Sequence, residues 1–276
     1  MTTERPAATV AGPAEKKTSK RPGLVQSKAF IYAARMLLCV GFLALWETAS
    51  RQGWVDETLF GRPSGVWQAV VDYLPSEKAL TSLKDTGAAV AVSFVIGSVS
   101  GTVAGLVLGL SPTLNAIVGP FLAPVNSIPR IALAPLFIAW FGLTLTAKVV
   151  LAVSIVFFIL AENARSAVRS VDADLMTMAR VVGLKRSTLL LKVVLPSAVP
   201  TMMAGLRLTF TYALLGVVAS EMVAATGGLG QDIVLYSSSY QINTVFAILV
   251  ELMAVAIVMN WLFTLLERWL LRWQQT

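Results

Sequence analysis

Histidine is absent from this 276-residue chain, and cysteine occurs once, as Cys39 inside an apolar run. The first absence removes imidazole acid–base and zinc chemistry, and the second excludes a disulfide within one chain. Charge is scarce as well: 13% of residues are Asp, Glu, Lys or Arg, against 56% hydrophobic ones. With a mean hydropathy of +0.74, the chain is too apolar for a soluble domain and reads as an integral membrane protein. Glu47, Glu221 and Glu251 stand isolated in or beside apolar runs, so a membrane-embedded enzyme would have no close carboxylate pair to work with. A phosphate-binding loop is missing too. Gly142 to Val149 has one glycine and a lysine, but lacks the second glycine, the closing Ser or Thr and a preceding strand, so no ATP or metal site is expected in this chain.

What the chain has instead is long apolar runs. Residues 1–28 are rich in Ala, Pro, Thr and Lys without apolar periodicity, a disordered basic tail. Runs near the roughly 20 residues that a bilayer requires follow at about 29–50, 86–110, 116–141, 145–161, 198–225 and 244–266, which makes six transmembrane helices and an all-α polytopic protein in residues 29–276. The first run is long enough to be a retained span rather than a signal sequence. Fourteen Lys and Arg residues fall in the tail, the 162–196 loop and the C-terminal end, against five on the other side. That asymmetry puts both termini and the loop in the cytoplasm.

Three segments have individual character. After the first span, Val66, Trp67, Val70, Val71 and Leu74 recur at helical spacing, the pattern of a short amphipathic helix in the membrane interface. Gly97, Gly101, Gly105 and Gly109 form one face of the second span, a stripe that lets another helix backbone approach closely. The third run is broken by Pro120, Pro124, Pro129 and Pro135, with Asn126, Ser127 and Arg130 among them. Such a helix survives in a membrane only where protein or a water-filled cavity covers the freed backbone, which makes these residues candidates for a translocation pathway. An arginine there costs about 2.5–3.5 kcal/mol on insertion scales. Either it satisfies a carboxylate or freed carbonyls, or its planar fork faces the passage and helps an anion cross. Glu221 is open to the same two readings. Gly227 to Gly230 reads as a tight turn between the fifth and sixth spans.

The 162–196 loop carries the most specific pattern. Leu175, Met178, Ala179 and Val182 fall on one face of a short helix that Asp172 or Asp174 can cap, and Gly183 supplies a left-handed stop. Ser187 can cap a second short helix, and Pro196 marks the handover to the next span. Thr177-Met178-Ala179, three residues, Gly183, nine residues, and Val193-Val194-Leu195-Pro196 resemble the cytoplasmic coupling signature of ABC importer permeases. Thr177 stands where that family usually has Glu, and Met178 where it has Ala. From Gly87 to about Asp232 the chain is similar to permeases for nitrate, taurine and alkanesulfonates, most clearly at Pro129–Gly142, Leu195–Arg207, Ala219–Met222 and Gly227–Gly230.

The resemblance implies a type I importer permease fold and a transport subunit rather than an enzyme. It implies a second, identical or similar permease copy, two cytoplasmic ATPases that bind ATP and Mg, and an external solute-binding protein, with the membrane and no nucleic acid as surroundings. It places the chain in the inner membrane of a bacterium and its cargo among small organic or inorganic anions. Thr177, Met178, Ala179, Gly183, Leu195 and Pro196 would then couple to the ATPase. The competing class is a secondary carrier driven by an ion gradient, which would require an ion-coupling site and usually a longer, inverted-repeat chain.

Overall fold

A computed structural model describes residues 28–171, 178, 181–183, 186–189, 192, 194–223 and 226–270. Among these every regular element is helical. In chain order they are α1 (Lys28–Arg51), α2 (Glu57–Phe60), α3 (Pro63–Tyr73), α4 (Glu77–Leu110), α5 (Pro112–Asn126), a 3-10 turn (Arg130–Leu133), α6 (Ala134–Phe141), α7 (Leu145–Arg169), α8 (Arg186–Leu189), α9 (Leu195–Val223), α10 (Leu229–Ser238) and α11 (Ile242–Leu270). Five helices are long and apolar enough to cross a membrane, and α5 with the segment to Phe141 forms a sixth unit bent by 82°. The run expected over 116–141 is therefore two pieces, because Pro129 has no N–H to continue the ladder.

The helices begin and end where local chemistry stops them. Ser76 caps α4 by accepting from Ala79 N at 3.1 Å, with Glu77 favourably placed in the first turn. Ser111 ends α4 and caps α5, whose first residue is Pro112. Two helices exceed their sequence-based bounds by two turns or more. α4 starts nine residues before Thr86, and α7 runs through Glu162 and Arg165 to Arg169. The first two turns assigned to the 162–196 loop are thus still α7. Residues 229–238, read as following a simple turn, form α10.

The centre of the bundle is the parallel α4–α7 pair. A Cβ built on Gly101 or Gly105 would overlap the carbonyl oxygens of Phe157 and Ala161, and one on Gly109 would lie 2.7 Å from the Val168 side chain. The glycines let the two backbones touch, which supplies dispersion contacts where lipid gives no hydrophobic drive. α9 covers the other side of α7, and Ala89, Val90, Val156, Phe210, Ala213, Val217 and Phe263 fill the space between them and α11.

A second cluster at the other end joins Tyr73, Ala79, Leu229, Ile233 and Ile248. There Asp232 accepts from Tyr73 Oη (2.8 Å) and Ser82 Oγ (2.6 Å), so α3, α4 and α10 share one carboxylate. Burial, and then the bond to Asp232, push the Tyr73 hydroxyl well above its usual range, which keeps it a donor. The amphipathic α3 buries Gly65 and Tyr73 and exposes Trp67 and Val71. Glu47 of α1 accepts from both Ser64 N (3.0 Å) and Ser64 Oγ (2.9 Å), and Asn243 of α11 accepts from Arg62 N at 3.0 Å. The Trp46 ring also meets Phe246 of α11 edge-on at 5.2 Å and Ser50 Oγ donates to Gly61 O at 3.2 Å, while none of the apolar window of α1 is buried.

Candidate translocation pathway and coupling ridge

Asn126 ends α5, and Ser127 caps it, donating from Oγ to Ala123 O at 2.9 Å. In an unbroken helix the Val125 carbonyl would be met by the N–H of residue 129, which is proline. Arg130 meets it instead, donating from Nη2 at 3.0 Å beside a longer 3.4 Å bond from Ile128 N. Its Nη1 donates to the Ser154 carbonyl of α7, and the guanidinium carbon lies 3.9 Å over the ring of Phe158. The arginine thereby pins the bend to α7 through neutral partners, with a cation–π contact added.

The same side chain borders a cavity of about 380 Å3 with Asn126, Ile128, Ile131, Ile155, Ile159, Leu208 and Tyr212. None of these is acidic, so the positive charge on its wall is uncompensated. Ser127 is exposed beside it but is not part of the lining. Tyr212, which adds a phenol to this wall, was not singled out from the sequence. Thr211 and Tyr212 are the polar members of the exposed α9 face that also carries Leu208 and Leu215, and that interruption was the signal available.

Glu221 lies elsewhere. It is 1% exposed and pairs with Lys148 Nζ at 3.0 Å, while accepting from Thr86 Oγ1 (2.9 Å) and Gly230 N (3.0 Å). Lys148 also donates to Gly227 O at 2.7 Å, and Leu229 N donates to Thr86 Oγ1 at 2.8 Å. Four elements, α4, α7, α9 and the 226–230 turn, are thus fastened at one point. Gly228 has φ of 110°, and a Cβ there would overlap the Glu221 carboxylate. Lys148 and Thr86 were not recognised as partners from the sequence, since they lie 73 and 135 positions from Glu221.

On the loop side, Met178, Val181 and Val182 are exposed at 65%, 82% and 75%, and Val182 N donates to Met178 O at 2.9 Å. These exposed apolar side chains stand just before Gly183, whose φ is 73°. Thr177, Ala179, Asp172 and Asp174 lie outside the described residues. The next short helix opens at Arg186, so Ser187 is inside it rather than its cap. Leu195 and Pro196 are the first two residues of α9, where proline is tolerated because the N–H it lacks would have no helical partner.

A family model described as "Binding-protein-dependent transport system inner membrane component" matches residues 97–272. The chain belongs to that family. Over 257 residues it is 30% identical to the "Putative aliphatic sulfonates transport permease protein SsuC" of Bacillus subtilis (strain 168), covering 93% of this chain and 92% of that one. It is 37% identical over 161 residues to the "Riboflavin transport system permease protein RibX" of Chloroflexus aurantiacus, 58% of this chain and 60% of the relative. Among solved structures, an inward-facing form of the MetNI methionine ABC transporter aligns with a TM-score of 0.62 at 20% identity, covering 68% of this chain and 94% of that one. The fold is therefore that of a type I ABC importer permease, and the chain is a multi-pass inner-membrane transport subunit of the group that includes the sulfonate and taurine permeases.

Proposed function

We propose that this permease forms the passage of an ATP-driven importer for a small anion, a sulfonate or taurine, nitrate or a compound of similar charge, delivered by a solute-binding protein. The observation that carries the reading is Arg130. Its guanidinium borders the 380 Å3 cavity with no carboxylate on the same wall, and its two assigned bonds go to carbonyls, so the cation's charge is left to attract an anion. Asn126, Ser127 and Tyr212 add neutral hydrogen-bonding groups on the same side, which suits passage rather than tight holding. Specific affinity then resides in the binding protein.

In this reading two copies of the permease assemble with two ATPases that bind ATP and Mg, and the ridge of Met178, Val181 and Val182, stopped by Gly183, seats in a groove of the ATPase. The Lys and Arg asymmetry supports cytoplasmic termini and a cytoplasmic ridge, leaving α2, α3, α10 and the 226–230 turn outside. The test is a thermal-shift ligand screen of the partner binding protein, followed by uptake of the hits into proteoliposomes containing the whole importer. ATP-dependent uptake of an anion is expected. A ligand without a sulfonate, nitrate, carboxylate or similar anionic group would overturn the anion reading, and uptake driven by an ion gradient without ATP would make the protein a secondary carrier.

A further inference from the structure

Between α4, α9 and α11 lies a second cavity, of about 340 Å3, that does not share a lining residue with the Arg130 cavity. Its walls are Gly87, Val90, Ala91, Phe94 and Val95 of α4, Phe210 and Leu214 of α9, and Leu252, Val255 and Met259 of α11, with Leu229 and Leu83 at one end. Thr86 is the one polar side chain on the wall, and its hydroxyl is already engaged, donating to Glu221 and accepting from Leu229 N. Nothing in the lining is left to bind a polar solute. At the other end the rings of Phe94, Phe210 and Phe263 close the space, with centroids 5.6–5.7 Å apart. Toward the membrane it is open, because Gly87, Ala91 and Val95 are exposed.

Gly87 separates this face of α4 from the packed one. A Cβ at Gly97, Gly101, Gly105 or Gly109 would collide with α7, but one at Gly87 meets nothing within 4 Å. A glycine inside a helix costs about 1 kcal/mol relative to alanine, and no contact among the described residues requires one here. Its effect is to leave the wall of the slot open. Lys84 lies on the same α4 face, three positions before Gly87 and seven before Ala91. It is exposed, and no acidic partner is found for it among the described residues.

We propose that this slot holds one acyl chain of a phospholipid, with the lipid phosphate at Lys84. From Leu83 to Val95 the helix rises by about 18 Å, close to the ~15 Å of one leaflet in a ~30 Å hydrocarbon core. The slot is thus deep enough for one chain entering from the Lys84 side and stopping at the phenylalanine rings. A wall this apolar offers water almost no hydrogen-bond partners, so a hydrocarbon chain restores dispersion contacts that the walls otherwise lack. The charge of Lys84 matches the phosphate of the headgroup, as basic residues near a membrane surface do.

The experiment uses the purified importer, delipidated in detergent, supplied with phosphatidylglycerol and examined by native mass spectrometry. Wild type should retain one more phosphatidylglycerol per permease copy than Gly87→Leu, which adds bulk on the wall of the slot at a position where a Cβ meets nothing within 4 Å. Ala204→Leu, in the separate α9–α11 groove, should retain as much as wild type. Lys84→Gln should weaken retention about fivefold, the effect of one basic residue at a membrane surface. Equal retention by wild type and Gly87→Leu would overturn the proposal. So would loss of the permease pair in Gly87→Leu with lipid unchanged, since that would mean a helix of a second copy passes over Gly87.

Discussion

Glu221 and Arg130, two charged groups inside the spans, have opposite surroundings. Glu221 is sealed, and its own chain supplies the whole answer: an ammonium, a hydroxyl and a backbone N–H. Arg130 is half-buried at the bend, and its answer is two neutral carbonyls and an aromatic face, next to a cavity without a carboxylate. A charge compensated from within fixes structure, whereas a charge solvated by dipoles beside an opening stays available to a ligand of opposite sign. The contrast extends to the helices that carry them. The α4–α7–α9 side is closed by small residues and one ion pair, and the α5–α6 side is held open by prolines.

That contrast can be broken most severely on the closed side. Gly105→Leu should prevent assembly, because the new side chain meets the Ala161 backbone, and overpacking against a helix that cannot move away exceeds the usual cost of about 1–3 kcal/mol. Size-exclusion chromatography in detergent should show little intact complex; normal yield would mean that α4 and α7 are not held by this seam. Next in size, Glu221→Gln leaves Lys148 buried without a counter-charge, a loss of about 3–5 kcal/mol. Its melting temperature should drop sharply, and the double variant Glu221→Gln with Lys148→Met should recover most of it. No recovery would argue that Glu221 acts apart from Lys148.

On the open side the expected effect moves from stability to transport. Arg130→Gln should assemble normally and lose uptake by about tenfold or more, the scale of one or two charge-assisted hydrogen bonds. Arg130→Lys should retain an intermediate rate, since it keeps the charge but loses the fork. An equal loss of yield in both variants would make Arg130 a brace for the bend. The smallest effect is expected at the ridge. Gly183→Val forces a β-branched residue to a φ of 73°, so uptake and stimulated ATP hydrolysis should decline together several-fold while insertion is unchanged.

Much of the architecture was legible because lipid imposes a simple rule: backbone polar groups must be satisfied within long apolar helices. The glycine spacing in α4 was legible for the same reason, since a repeat of four marks one helix face. The misses share a cause. Lys78, Lys84 and Asp85 hid the first turns of α4, and Glu162 and Arg165 hid the last turns of α7, because hydropathy marks the membrane and not the helix. α10 was hidden behind Gly227 and Gly228, although Leu229, Ile233 and Tyr236 repeat at helical intervals. The Thr86–Lys148–Glu221 junction was beyond reach, because nothing local connects three residues on three different spans.

One consequence of α4 concerns motion. At 34 residues it is about 51 Å long, well beyond the ~30 Å hydrocarbon core. It runs unbroken from the Asp232 cluster at one end to the Ser111 hinge of the bent span at the other. Riveted to α7 along the glycine stripe, it behaves as a strut with no joint within it. A change of access from one side of the membrane to the other must therefore swing the parts hung on this strut, above all the bent α5–α6 segment, about its two ends. Spin labels placed across the α4–α7 seam should keep their spacing in every stage of the transport cycle, while a label on α6 changes its distance to either of them.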